Sequence, residues 1–404
     1  MDRLRQLLGP LSFAGLVLGG LVACAGPQAE PPPTPVKVVA SFVFGRNGSD
    51  EFGAGAQLAL EEHRRAGGVQ VELELKGSSY ADLSASTELE RRIAADAIAD
   101  PAVLAYLGPA FSDSAKVSMP MLNRAGMLQV SYGATWPGLT RPGFGAGEPG
   151  IYFPSGRRHF FRVVPTDDLS TPLVARWVSE QGWHRVFVVG VDTAFGHGAA
   201  GTFATAAQDL GLEVVGPELL PEGAIEDEEL VAIARQVLAA APDGVIFTST
   251  TSSFGSSLVR HLRERAPDLP VLNLGAVMES NFIQKVGPEL AQKMYSTALG
   301  VPVEHLRTPR AIAFRRLFSQ TYGREASFRA GLSYEAMSVI LRAIELARPR
   351  TREGVLAAMD RLGRVDGLQG PWTFTDTGDI SITWSGLWWV EGEEWRFVQV
   401  LSDR

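Results

Sequence analysis

The stretch LAYLGPAFSDSAKVSMPMLNRAGMLQVSYGATWPGLT, residues 104–140, indicates the fold of this chain. It predicts a buried strand over 103–107, a helix from Ser112 to about Ala125, and a second buried strand over 127–130. This order of elements is typical of a βαβ crossover between parallel strands. A loop rich in hydroxyl groups follows each strand, and such loops meet at the carboxyl edge of a parallel sheet, where open α/β folds bind ligands.

The first of these loops also begins a helix. Ser112, Asp113 and Ser114 are residue types that favour helix N-termini. The unpaired N–H groups of a first helical turn, together with the positive end of the helix dipole, attract a carboxylate. The stretch therefore predicts a site for a small ligand with a carboxylate or a similar polar head group.

Both loops resemble the ligand loops of type I periplasmic binding proteins, and in particular the leucine/isoleucine/valine-binding proteins of ABC importers. The resemblance rests on GPAFSDSA (108–115) and GMLQVSYGATWPGLT (126–140). It implies that hydroxyls and amides of the first loop hold the ligand carboxylate, while the second adds a carbonyl and a hydroxyl. The ligand-binding positions implied here are Ser112, Asp113, Ser114, Gly133, Ala134 and Thr135.

The segment FGAGAQLALEEHRRAGG, residues 52–68, resembles the first helix of the same family. The resemblance implies that the ring of Phe52 lines the ligand cleft. A place for Phe52 in the hydrophobic core is the alternative interpretation.

A second set of candidates lies after residue 166, where the α/β alternation restarts. Residues 196–201, GHGAAG, match the glycine pattern of dinucleotide-binding loops, but four residues separate Gly196 from the strand predicted over 185–191. A dinucleotide loop places its first glycine directly after the strand. The favoured interpretation is the family's Asp…aromatic-Gly loop, with Asp192 near the ligand and the ring of Phe195 covering it.

Two further loops of this half are expected to face the ligand. Thr250 and Thr251 lie where a strand over 244–248 ends and a helix begins, at the edge of the sheet that faces a ligand. Gly275 occupies the position at which amino-acid-binding members of the family place a carboxylate for the ligand amine. Because a buried unpaired ammonium costs several kcal/mol, the sequence favours a ligand without one, unless Asp192 or Glu279 supplies the acid.

Composition excludes several classes of protein. The chain has 404 residues, of which 45% are hydrophobic and 20% charged, and its net charge of -8 gives no general attraction to nucleic acid. A single cysteine excludes an internal disulfide framework. The six histidines are dispersed and form no H-x-x-x-H pair, so neither a metal site nor a cofactor is expected.

That cysteine, Cys24, stands at an informative place. Arg3 and Arg5 precede an apolar run, and Leu-Val-Ala comes directly before Cys24. A basic start, an apolar core and a small residue before the cut describe a secretory signal, here 1–23. The Leu-Val-Ala-Cys motif resembles a bacterial lipobox, which implies that Cys24 carries a lipid anchor. Residues 24–35 are proline-rich and should form an extended tether.

The order of elements predicts an α/β protein with two doubly wound parallel-sheet lobes joined by a hinge and with antiparallel strands near the C-terminus. The expected N-terminal lobe comprises 36–160 and 301–368. The expected C-terminal lobe comprises 161–300 and 369–404. Residues 143–156, rich in Gly and Pro, are expected to form a surface insertion.

The resemblance implies an extracytoplasmic, lipid-anchored solute-binding protein, not an enzyme. It would capture an amino acid, an amide or a small carboxylate and deliver it to the permease and ATPase subunits of an ABC importer. A sensing or assembly lipoprotein of the same fold and a secreted nucleotide-dependent enzyme are the alternatives, because a fold alone does not fix a function.

Overall fold

The structure is a computed structural model that describes residues 36–44, 51–79, 83–221, 226–249, 252–275 and 282–403. The predicted signal segment, the tether with Cys24, and Thr250, Thr251 and Glu279 lie outside these residues. Among the helices described, none combines the length and the apolar character needed to cross a membrane.

The first lobe is built on five parallel strands: β1 (Val36–Phe44), β2 (Val71–Ser79), β3 (Val103–Leu107), β4 (Leu128–Ser131) and β5 (Phe160–Arg162). Three helices connect the first four strands: α1 (Glu51–Arg65), α2 (Leu83–Ala99) and α3 (Ser112–Arg124). The strands lie in the order β2-β1-β3-β4-β5. β3 and β4 are parallel neighbours joined by α3, as the opening stretch predicts.

The second lobe repeats this architecture with five more parallel strands: β6 (Arg185–Val191), β7 (Glu213–Leu220), β8 (Gly244–Thr248), β9 (Val271–Leu274) and β10 (Met294–Ala298). The helices among them are α4 (Asp167–Glu180), α5 (Ala194–Asp209), α6 (Asp227–Ala239), α7 (Ser252–Arg263) and α8 (Phe282–Val286).

The C-terminal part of the chain returns to both lobes. Helices α9 (Pro309–Tyr322), α10 (Phe328–Leu346) and α11 (Arg352–Met359) contribute to the core of the first lobe. A two-stranded ribbon, β11 (Val365–Gly367) and β12 (Gly370–Trp372), follows. Finally, β13 (Ser385–Glu391) and β14 (Glu394–Leu401) extend the second sheet as antiparallel strands, giving the order β14-β13-β10-β9-β8-β6-β7. The predicted fold class is confirmed.

The last passage between the lobes lies further along the chain than the sequence suggested. Trp372, Ile380 and Trp384 are buried in the core of the first lobe, whereas the expected boundary is 368/369. The antiparallel strands of the second sheet begin only at Ser385. Residues 369–384 thus pack with the first lobe because their large apolar side chains fill its core.

Helix α5 begins at Ala194. This is nine residues before Phe203, where a helical spacing of apolar residues first becomes visible in the sequence. Glycine lowers helix propensity, so Gly196, Gly198 and Gly201 hide the first turns. Two of them allow close approach: a Cβ on Gly196 would lie 1.8 Å from the Val191 carbonyl oxygen, and one on Gly198 would lie 2.7 Å from the Trp136 ring.

Helices α1 and α10 pack at close range through Gly55. A Cβ on Gly55 would lie 2.0 Å from the Ala330 carbonyl oxygen and 2.3 Å from Ser333 Oγ. The Ser333 hydroxyl donates to the Phe52 carbonyl at 2.6 Å. This contact therefore fixes the position of Phe52 against α10.

We expect Gly55→Ala to lower the free energy of unfolding by about 1–3 kcal/mol, because the new methyl group meets backbone that cannot rotate away. Gly201→Ala is the matched control, since a Cβ there meets no atom within 4 Å and should gain about 0.5–1 kcal/mol of helix stability. Urea unfolding measures both, and equal effects would contradict the close α1–α10 contact.

Candidate functional site

A cleft between the two lobes holds about 960 Å³ of empty space, including space open to solvent. The ends of β3, β4 and β9, the first turns of α4, α5 and α10, and the passage after β10 supply its walls. Six of the residues expected to bind ligand line this cleft. They are Phe52, Ser112, Gly133, Thr135, Phe195 and Gly275.

Ser112 joins the two loops of the opening stretch. Its buried Oγ accepts hydrogen bonds from the backbone N–H of Thr135 at 3.2 Å and of Trp136 at 3.0 Å. With both contacts made by accepting, the hydroxyl proton remains available to an acceptor in the cleft. Ser112 also starts α3, and no side chain caps that helix N-terminus. The arrangement suits a carboxylate oxygen.

A fully buried arginine, Arg162, bonds the loop that carries Thr135 on the side away from the cleft. Its Nη1 donates to the carbonyl oxygens of Ala134 at 2.9 Å and Trp136 at 2.8 Å, on either side of Thr135. Its Nε donates to Asp379 Oδ1 at 2.6 Å. Burial alone would raise the pKa of Asp379, but the charge and hydrogen bonds of Arg162 hold it below its ordinary value.

Asp167 is the acid that the sequence did not assign to the cleft. It begins α4, is 3% exposed, and lines the cleft beside Thr135. Burial raises the pKa of Asp167 to about 7, although a hydrogen bond with Thr135 and the charge of Arg162 oppose this. Its Oδ2 is buried without a hydrogen-bond partner among the described residues. Such an oxygen can accept from a ligand donor.

A periodic signal could have revealed this wall. Asp167, Ser170, Thr171 and Val174 are spaced i, i+3, i+4 and i+7, which places them on one face of a helix, and all four line the cleft. In the sequence, Asp167 taken by itself is a residue type that favours a helix N-terminus and gives no sign of facing a cleft. In the structure its backbone N–H donates to the Thr135 carbonyl at 3.1 Å, so the start of α4 is bonded to the loop that carries Thr135.

Aromatic rings form the apolar part of the cleft. Phe52 and Tyr132 lie with ring centroids 4.7 Å apart, and Phe195, Phe111 and Phe328 complete the set. Phe52 is 8% exposed and belongs to the hydrophobic core as well, so both interpretations of this residue apply. The wall favours a ligand with an apolar or aromatic body.

Gly275 has a physical reason to lack a side chain. Its φ of +137° is a conformation that residues with a Cβ rarely adopt. A Cβ there would also lie 2.9 Å from the Ser249 carbonyl oxygen and 3.1 Å from the Phe195 ring. No carboxylate can therefore stand at this position without moving the backbone.

Two predicted residues on α3 face away from the cleft lining. Ser114 lies in a small separate pocket with Ser41 and Glu90, because residues two apart on a helix do not share a face. Asp113 accepts from the Ala194 backbone N–H at 3.0 and 3.2 Å and so caps α5 of the opposite lobe. Burial raises the pKa of Asp113, partly offset by that hydrogen bond.

Ala134 and Asp192 also lie outside the lining. Ala134 is buried in a core cluster and presents its carbonyl to Arg162. Asp192 is more than half exposed and contacts His197 Nε2 at 2.5 Å, because the loop after β6 turns its side chain outward. The adjacent glycines lie inside α5, whose N-cap is Thr193, and do not form the tight turn of a dinucleotide loop.

The segment 143–156 contacts the loop that carries Thr135 and Trp136 through the side chain of Glu148. Glu148 accepts from Trp136 Nε1 at 2.8 Å and from the Tyr152 hydroxyl at 2.6 Å, and its Oε1 lies 3.2 Å from Lys116 Nζ.

Within the described ranges, no group of three or more His, Cys, Asp or Glu side chains could hold a metal ion.

Solved structures share this fold over almost their whole length. The branched-chain amino acid transporter substrate-binding protein LivJ of Streptococcus pneumoniae, in complex with isoleucine, superimposes with a TM-score of 0.75 at 19% identity, covering 91% of this chain and 99% of that one. A solute-binding protein of an ABC transporter from R. palustris, in complex with benzoate, gives 0.69 at 13% identity, covering 91% and 96%.

Similarity to curated proteins is more limited. Taste receptor type 1 member 3 of Felis catus is 32% identical over 139 residues, which is 34% of this chain and 15% of the receptor. The chain thus spans a small part of that relative. By contrast, the periplasmic binding protein family profile matches residues 45–385. The chain belongs to the periplasmic binding protein family and has the type I fold of its ABC-transporter substrate-binding members.

Proposed function

We propose that this protein is an extracytoplasmic solute-binding lipoprotein that captures a small polar solute in the inter-lobe cleft and delivers it to an ABC importer. The observation that carries the proposal is the convergence of Ser112, Thr135 and Asp167 on one cleft of a solute-binding fold. The partners are a permease and its ATPases. No nucleic acid and no cofactor takes part.

The solute binds by its head group to the first lobe. The Ser112 hydroxyl donates a hydrogen bond to the carboxylate or amide oxygen, and the Thr135 hydroxyl adds a second polar contact. The Gly133 carbonyl accepts from an N–H group of the ligand. Gly133 has no side chain because a Cβ would lie 2.7 Å from the Ala110 carbonyl oxygen. Phe195 and the loop with Thr250 and Thr251 close the other side by hinge motion.

Asp167 pairs with the ligand amine, the role that an acid at the position of Gly275 has in amino-acid-binding members of the family. Its unpartnered Oδ2 accepts from an N–H or ammonium group next to the carboxylate. An α-amino acid therefore fits the cleft, in contrast to the expectation drawn from Gly275. The apolar walls accept a side chain or ring, in the manner of the isoleucine and benzoate ligands of the two similar structures.

The lipid anchor rests on the Leu-Val-Ala-Cys motif and on the extracytoplasmic site implied by the family. The lobe boundaries, with hinges near 160 and 300 and a last passage close to Trp384, belong to the same proposal. Among the alternatives, a sensing lipoprotein would bind solute equally well, so transport is distinguished by solute-dependent stimulation of the importer's ATPase. Tight NAD binding by calorimetry would favour an enzyme.

Thr135→Val should weaken binding of the ligand by about 1–3 kcal/mol, because the valine leaves a buried partner without a hydrogen bond. Isothermal titration calorimetry measures the change. Thr205→Val is the control, since Thr205 is exposed on α5, bonds the Gly201 carbonyl of its own helix and lies outside the cleft lining. An unchanged affinity in the Thr135 variant, with normal folding, would place the head group elsewhere.

For a ligand that carries an ammonium group, affinity should rise by about 10- to 100-fold from pH 5 to pH 8, because Asp167 must lose its proton before it pairs with the cation. The sign follows from the raised pKa of about 7: below it, proton release opposes binding. Asp167→Asn should lose both the affinity and its pH dependence. Asp168→Asn, one residue along α4, should keep them, and the opposite pattern would contradict the role.

Cys24→Ala should release the mature protein from the membrane fraction, because the acylated thiol is the proposed anchor. Ala29→Ser in the tether is the control and should remain membrane-bound. Fractionation with immunoblotting measures this, and a Cys24→Ala protein that stays with membranes would show that another segment holds it.

A further inference from the structure

Arg329 is a charged residue of the cleft lining that has no role in head-group recognition. It is the sole cation among the described residues that line the cleft, and Asp167 is their sole acid. Arg329 lies in the first turn of α10, next to Phe328. Its backbone carbonyl lies one turn from Ser333, whose hydroxyl contacts both that carbonyl at 3.4 Å and the Phe52 carbonyl at 2.6 Å. Arg329 thus lies beside the aromatic wall of the cleft, which consists of Phe52, Phe111, Tyr132, Phe195 and Phe328.

Arg329 differs from several other arginines of the first lobe, which pair with carboxylates. Arg162 pairs with Asp379, Arg310 pairs with Glu62, and Arg324, five residues before Arg329, pairs with Glu51. No carboxylate among the described residues is recorded within ion-pair distance of Arg329. Its guanidinium instead lies 4.9 Å from the centre of the Phe328 ring.

The surroundings hold this guanidinium at the cleft. Phe328 packs against Trp388, with ring centroids 5.8 Å apart, and it covers Gly300, where a Cβ would lie 2.1 Å from its ring. A cation stacked on an aromatic face is partly desolvated and pre-oriented. When a ligand displaces the remaining water, an unpaired charge becomes costly and a paired one becomes favourable.

We propose that Arg329 is a specificity-determining residue that binds a second anionic group of the ligand, so that the solute is a dicarboxylate or a comparable dianion. This inference rests on the proposed function, because the first carboxylate occupies the Ser112–Thr135 site. The apolar body between the two anionic groups lies along the aromatic wall. The planar guanidinium fork matches a carboxylate in a bidentate manner.

The test compares matched pairs of ligands that differ by one carboxylate: glutarate with valerate, terephthalate with benzoate, and glutamate with norvaline. Calorimetry on the mature protein should show at least one dicarboxylate bound about tenfold or more tighter than its partner, the discrimination expected of a desolvated charge pair. Arg329→Gln should remove that difference and leave the monocarboxylate unchanged. Arg329→Lys should restore part of it.

Arg342→Gln on the exposed side of α10 is the matched control, since Arg342 bonds the Arg364 carbonyl and lies outside the cleft lining, and it should leave every affinity unchanged. Thermal unfolding without ligand checks that each variant folds. If no dicarboxylate binds the wild-type protein better than its partner, or if Arg329→Gln weakens both members of a pair equally, the inference is overturned.

These outcomes are separable from failure of the cleft itself. Ligands whose affinity falls in Thr135→Val but not in Arg329→Gln would keep the head-group site and reject the second anionic group. Ligands that bind with affinity unchanged in both variants would reject the proposed function together with this inference.

Discussion

The candidate site depends on the buried pair of Arg162 and Asp379. Moving a guanidinium out of water is costly unless its donors find partners, and here they reach Asp379, the carbonyls of Ala134 and Trp136, and the Thr140 hydroxyl. Asp379 comes from a segment 217 residues away. One interaction therefore fixes three segments against each other: the loop that carries Thr135, the end of β5 and the C-terminal segment that carries Asp379.

The same interaction explains why Thr135 and Asp167 lie together. The two carbonyls that flank Thr135 point toward Arg162, while the Thr135 carbonyl accepts from the Asp167 backbone N–H. The charge of Arg162 also limits how far burial raises the pKa of Asp167. A lysine has neither the planar fork nor the number of donors to make these contacts at once. The loop is thus positioned by a buried charge that does not line the cleft.

Local patterns predicted the parts of the fold that depend on local chemistry. The apolar runs of β3 and β4, the N-terminal residues of α3 and the stop at Gly126 were sufficient to predict the crossover. The same patterns could not predict which residues face the cleft, because Ser112 and Ser114 are two residues apart in the motif and point to different sides of α3. Likewise, the glycines of α5 resemble a loop until Trp136 is known to pack against Gly198.

Long-range pairing limited the prediction of the site further. Asp167 reads as a helix cap in the sequence, and only the tertiary structure reveals that its carboxylate faces Thr135 instead of its own helix. Arg329 is one of several arginines in the last third of the chain. It becomes distinctive only when the tertiary structure places it in the cleft lining with no carboxylate partner among the described residues.

Some contacts across the cleft are single hydrogen bonds or depend on small residues. Asp113 of the first lobe caps α5 of the second, and Trp136 lies against Gly198, while the insertion holds the Trp136 indole through Glu148. A single hydrogen bond of this kind contributes about 1 kcal/mol, so one such contact alone holds the lobes together only weakly. In the proposed function, the solute supplies closing free energy through contacts made to both lobes at once. This requirement explains why the charged groups of the cleft come from different walls: Asp167 from the start of the second lobe, and Arg329 from a helix that returns to the first.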